Sequence, residues 1–412
     1  MIKFTRFTLE NGLRVLVHED NSTPMAAVNV TYDVGSRDEH PERTGFAHLF
    51  EHLMFGGSKH IPDFDGPIQM AGGENNAFTN NDMTSFYEIL PAENLEIAFW
   101  LESDRMLSLN FNPKVLKTQK KVVLEEFKET CLNEPYGDAW HHLSELAYKV
   151  HPYRWPTIGL VPQHIEQATM DEVVHFYQKF YRPNNATLVV TGNVRAAEVQ
   201  QLADKWFGDI PPGDIPKRAL PTEPAPGAMQ SKTVEANVPM DAIYLAFRMP
   251  SRRDEDYHAV DLLSDILSNG QSSRLYRRLL KQKQLFSSID CFVSGSFDPG
   301  LFILEGKPSE NVSVETAREA IWSELRQLTE KVIAEPELQK LQNKIESTLT
   351  FSETNVLNKA INLAFFELLD DAQLINEETT RYQKVTTDDL QRLAAQLFRA
   401  ENCSELIYRA RA

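Results

Sequence analysis

Hydrophobic and polar residues alternate over residues 4–18 on either side of Asn11-Gly12, which predicts two strands joined as a hairpin. A further strand is expected at 26–34, where Met25 through Thr31 are rich in β-compatible residues, before a loop over 35–43. The period then changes. Phe46, Leu49, Phe50, Leu53 and Met54 recur at helical spacing and trace one apolar stripe. Thr44 reads as the N-cap and Gly56-Gly57 as the stop, so a helix is expected over 45–55. A glycine-marked polar turn at Gly72-Gly73 leads to a strand at 84–90, followed by helices over 91–107, 112–130 and 171–180 and a strand over 186–191. The second of those helices opens with Asn112 as N-cap and Pro113 at its first position.

Residues 208–227 hold Pro211, Pro212, Pro216, Pro221, Pro224 and Pro226, a stiff extended connector. Beyond it the earlier pattern returns in weaker form. A strand at 242–247, a helix over 257–267 and a terminal strand at 405–408 echo the first half. This repeat predicts an α+β fold of two homologous α/β sandwich domains, each an antiparallel sheet covered by helices, facing each other as a clamshell. The expected division is 1–210, a Pro-rich linker over 211–229, and 230–412.

Composition narrows the function classes. Acidic residues outnumber basic ones, 59 to 42, and the formal net charge of -17 argues against nucleic acid or an anionic membrane as partner. Cys131, Cys291 and Cys403 are far apart and lack metal spacing, which points to a reducing compartment, and a cytoplasmic protein is expected. The chain opens directly into strand-like alternation, and no apolar run reaches membrane-spanning length.

Chemistry concentrates on His48-Leu49-Phe50-Glu51-His52. At about 100° per residue, His48, Glu51 and His52 share a direction nearly opposite the apolar stripe. Two imidazoles one turn apart can hold one cation, and a carboxylate between them reaches a water on that cation. A pair of solvated surface histidines is the plain alternative. A zinc site needs a third protein ligand, and Glu125, Glu126 and Glu129 compete for that place on the helix over 112–130. His141-His142 and His151-Pro152-Tyr153 invite a second metal, but adjacent histidines on a helix diverge by about 100°.

The order His-x-x-Glu-His is the inverted zinc motif of the inverzincins, and the chain resembles the pitrilysin family of peptidases, which includes insulin-degrading enzyme and the mitochondrial processing peptidase. The resemblance implies a zinc metallopeptidase that hydrolyses unfolded peptide segments, with Zn2+ on His48, His52 and Glu126 and with Glu51 as general base. Glu126 follows from the local Val122-Val123-Leu124-Glu125-Glu126 pattern. The run Gly72-Gly73-Glu74-Asn75-Asn76-Ala77-Phe78-Thr79 resembles the family's substrate-pairing strand, which puts Asn76 and Ala77 at substrate-contacting positions. Gln119 stands where the family often has a Glu near the metal.

In the second half, Ser268 through Leu280 resembles a family stretch after which active members present an Arg and, seven residues later, a Tyr. Here those positions are Leu280 and Ser287, with Arg277 and Arg278 out of register. The resemblance therefore implies a homodimer, or a heterodimer with a homologous zinc-free subunit that supplies Arg and Tyr. The alternative is a non-catalytic peptide-binding or structural core subunit.

Overall fold

The alternation over residues 4–18 becomes β1 (Thr5–Thr8) and β2 (Arg14–Glu19), paired antiparallel with Thr5 opposite Val17. The computed structural model describes residues 1–411. The hairpin turn is longer than Asn11-Gly12 alone. Leu9 N–H donates to Leu13 O, Gly12 takes a φ of 88°, and the buried Asn11 side chain donates to Phe207 O and Ile210 O. With β3 (Met25–Tyr32), β4 (Glu74–Thr79), β5 (Thr84–Pro91) and β6 (Ala186–Gly192) the hairpin builds a sheet in the order β1-β2-β6-β3-β5-β4. β5 runs on to Pro91, opposite Met25, so the helix expected over 91–107 begins only at Leu95.

This sheet belongs to the first of two compact units, formed by Met1–Lys128, Trp155–Leu220 and Thr350–Glu377. Val28, Val30 and Tyr32 of β3 join Phe86, Leu188 and Val190 in a core that also takes Phe50, Phe99, Tyr177 and Phe207 from helices. The opposite face carries Ala27, Asn29 and Thr31, which sit across from Thr191, Val189 and Thr187 of β6. That alternation is the pattern of a solvated face. It is buried instead, beneath the helix Val356–Leu369 from the far end of the chain. Asn29 and Thr191 find partners there: Asn29 Nδ2 donates to Ser85 Oγ at 2.7 Å, and Thr191 Oγ1 donates to Val356 O at 2.6 Å, whereas the buried Thr187 hydroxyl has none among the described residues.

The second unit comprises Glu129–Arg154, Pro221–Leu349 and Glu378–Ala412. Its strands are β7 (Gln230–Ala236), β8 (Ala242–Arg248), β9 (Phe286–Val293), β10 (Leu301–Pro308) and β11 (Cys403–Ala410), in the order β7-β11-β8-β10-β9. The main core lies between one face and helices that include Tyr257–Ser268 and Thr387–Leu397. Leu143, Ala147 and Tyr148, from the first half of the chain, pack with Tyr244, Leu406 and Tyr408 in a second apolar layer.

The repeat is visible in the connectivity. In each sheet the strand that closes the sequence half, β6 or β11, inserts beside a strand to which it runs parallel, and its other neighbour is antiparallel. Both sheets are therefore mixed rather than wholly antiparallel. The closing strand arrives after a long helical crossover, the connection that parallel pairing requires. The units are not the sequential domains expected from 1–210 and 230–412, because residues 129–154 and 350–377 are exchanged between the halves.

Candidate metal centre

The apolar stripe forms the buried side of the helix Phe46–Met54, with Phe50 stacked 5.0 Å from Phe176 and 5.2 Å from Tyr181. His48, Glu51 and His52 are left half-buried on the other side. The start of the helix differs from the expected Thr44 cap. Gly45 is the N-cap at a φ of 86°, and a Cβ there would meet Ile158 O at 2.8 Å. The capping acceptor is Glu39, whose carboxylate accepts from Gly45 N at 2.9 Å and Ala47 N at 2.8 Å. Burial pushes the Glu39 carboxyl up, and the two donated N–H groups oppose that rise. The Thr44 hydroxyl instead accepts from Leu160 N and bonds His164 Nδ1. Replacing Glu39 by Ala strands two N–H groups at a helix start, and a loss of about 2–3 kcal/mol is expected in urea unfolding.

His48 Nε2 and His52 Nε2 lie 3.3 Å apart, with their rings at 86°. Glu126 arrives from the helix Pro113–Phe127, whose Asn112 side chain accepts from Lys114 N as a cap. Its Oε2 lies 3.2 Å from His52 Nε2 and its Oε1 3.6 Å from His48 Nε2. The competing carboxylates lie elsewhere: Glu125 pairs with Lys128 at 2.7 Å, and Glu129 is exposed beyond the helix end. Among the described residues, His48, His52 and Glu126 are the group able to hold a metal ion, with ligand atoms within 4.8 Å of one another. Burial pushes the His48 imidazole down from its ordinary value, which favours the neutral, lone-pair form. The hydrogen bond with His52 holds the Glu126 carboxyl below the usual range. Two imidazoles and a carboxylate form the donor set of a catalytic zinc site, and the residues present fit that ion.

Glu51 is not part of this trio. Its Oε2 accepts from Thr79 Oγ1 at 2.6 Å. Thr79 ends β4, the outermost strand of its sheet, and the same strand carries Asn76 and Ala77. The Asn76 side chain folds back so that its Oδ1 accepts from Ala77 N at 2.8 Å. Gln119 is half-buried two turns before Glu126 on the same helix. Sequence reasoning missed the roles of Glu39 and of the Thr79 hydroxyl. Only the position of Thr79, two residues after Ala77 on one strand, hinted at its direction.

The second unit holds the remaining residues of interest. Leu280 lies half-buried in the helical turn Tyr276–Gln282, and Ser287, on β9, donates to Lys307 O. Arg278 is bound to Glu324 and Gln327. His258, on the helix that corresponds to Phe46–Met54, is buried against Arg252 and Glu378. His142 sits between Asp138 at 3.1 Å and Lys232 at 2.8 Å, and His151 packs 4.3 Å from Tyr153. No helix among the described residues is long and apolar enough to cross a membrane.

Two family models match the chain: Insulinase (Peptidase family M16) over residues 14–159 and Peptidase M16 inactive domain over residues 167–345. The zinc protease PqqE of Helicobacter pylori is 29% identical over 405 residues, covering 96% of this chain and 90% of that protein. A probable mitochondrial-processing peptidase subunit beta from Schizosaccharomyces pombe is 24% identical over 411 residues, covering 95% of this chain and 88% of that one. A crystal structure of a protease from Helicobacter pylori superposes with a TM-score of 0.94 at 27% identity, over 99% of this chain and 100% of that one.

Proposed function

The chain belongs to the pitrilysin peptidase family, M16, and from that premise we propose that it is a zinc metallopeptidase acting on unfolded peptide segments. The observation that carries this reading is the convergence of His48, His52 and Glu126 beside a separately held Glu51. Zinc bound there supplies Lewis acidity, which makes water acidic near neutrality and polarises a peptide carbonyl. Glu51 takes the proton of the attacking water and later delivers it to the leaving amine. The peptide pairs as an added strand along the outer edge of β4, where it displaces the Asn76 side chain from Ala77 N. Backbone pairing of that kind reads extended conformation more than side chains, so broad specificity follows.

Leu280 and Ser287 cannot supply the charge and the phenol that the family resemblance puts at those positions. A homologous zinc-free subunit that brings Arg and Tyr completes the site in this reading. The three free thiols, all buried, fit a reducing, cytoplasmic setting. The same two residues favour one rival, a peptide-binding subunit without catalysis.

The test is turnover of a quenched, unstructured peptide by the full chain, with and without chelator. Turnover by the chain alone that chelator abolishes and zinc restores makes it a self-sufficient zinc peptidase, for which Leu280 and Ser287 are no obstacle. A zinc-loaded chain that turns over only with a homologous subunit present assigns it half of a shared site. Tight peptide binding that is indifferent to chelator, with no turnover in either setting, overturns the peptidase reading.

A further inference from the structure

We propose that Thr79 is the positioning residue of the base, so that the strand that receives the peptide also sets the place of the Glu51 carboxylate. This inference rests on the peptidase reading above. Three side-chain torsions separate a Glu carboxylate from its backbone, and the Thr79 hydroxyl fixes this one by donating to Oε2 at 2.6 Å. Among the described residues Oε1 has no protein donor, which leaves it open to a water proton.

Thr79 is itself firmly held. It pairs with Thr84 across the β4–β5 turn, where Asn80 Oδ1 accepts from Asp82 N at 2.7 Å and Met83 N at 2.9 Å. Ser36 N and Arg37 N donate to Asn80 O and Asn81 O, and the buried Arg37 pairs with Asp82 at 2.8 Å. The hydroxyl therefore projects from a fixed hairpin end. A peptide paired along β4 orders that strand further, and the carboxylate is ordered with it. A base displaced by about 1 Å loses on the order of a hundredfold in rate.

The experiment compares Thr79→Val, which keeps the shape and loses the hydroxyl, with Thr79→Ser, which keeps the hydroxyl. Zinc content, affinity for a peptide with a reduced scissile bond, kcat, KM and the crystal structure are read for each. Thr79→Val is expected to keep one zinc per chain and the wild-type peptide affinity, and to lose about ten- to a hundredfold in kcat. Thr79→Ser is expected to restore most of kcat. In a Glu51→Gln background, Thr79→Val is expected to cost nothing further, since no base remains to be placed.

A loss that appears in KM and peptide affinity, or one that recurs in the Glu51→Gln background, makes Thr79 a strand residue only and overturns the proposal. If Glu51→Gln itself leaves turnover intact, the peptidase reading fails at Glu51. The crystal structure then still decides the contact: a carboxylate displaced in Thr79→Val supports the positioning role, and one unmoved overturns it.

Discussion

Glu51→Gln is expected to retain the metal and to lose at least about two orders of magnitude in peptide turnover. The three converging ligand atoms come from His48, His52 and Glu126, so the substitution touches none of them. The amide carbonyl can still accept the Thr79 hydroxyl, which keeps the side chain in place. What is lost is basicity. An amide cannot take a proton from water, and general-base assistance contributes roughly 10²–10⁴-fold, or about 2.7–5.4 kcal/mol of barrier. Metal content by atomic emission and turnover on the same sample separate the two effects. A zinc-loaded Glu51→Gln protein with near-normal turnover removes Glu51 from the role of base.

The helix that carries His48, Glu51 and His52 is legible because every determinant is local. An apolar stripe, two glycines beyond the end and three polar residues at i, i+3 and i+4 suffice to place His48, Glu51 and His52 on one face. Glu126 is a different problem. Glu125, Glu126 and Glu129 are equivalent by local chemistry, and the family pattern was needed to select Glu126. In the fold it is the rotation of the helix Pro113–Phe127 that decides, sending Glu125 to Lys128 and Glu126 to the histidines. The cap was misread for a related reason. Thr44 is the right residue type at the right place, yet a carboxylate six residues before Gly45 reaches the helix through an intervening turn. The polar face of β3 carries the same lesson over a longer distance. Asn29 and Thr31 alternate with Val28 and Val30 as a solvated strand does, and only tertiary packing reveals the helix Val356–Leu369 that covers them.

That covering helix leads to the other large effect. Cutting the chain in the Pro-rich connector, at the exposed Gly227, is expected to leave the two fragments together, whereas neither half expressed alone folds. Residues 129–154 of the first fragment belong to the unit of the second sheet, and residues 350–377 of the second fragment belong to the unit of the first. Without the helix Val356–Leu369, the first half loses the burial of Val356, Leu363, Phe366 and Leu369. At ~1.5–3 kcal/mol per side chain that is on the order of 6–12 kcal/mol. A domain's whole net stability is about 5–15 kcal/mol, so the loss alone is enough to abolish folding. It also uncovers the buried Asn29 layer and leaves Asp20 without its partner Lys359. The nicked chain keeps all of these interactions, because the connector is only one of the places where the chain passes between units. An engineered protease site at Gly227, followed by gel filtration under native conditions, distinguishes the cases. Coelution at the intact size is the expected outcome, and release of a folded, monodisperse 1–227 fragment shows that the exchanged segments do not hold the halves. The same interlocking explains why a fold repeated in sequence is not divisible in sequence: each half lends the other the helix that covers its sheet.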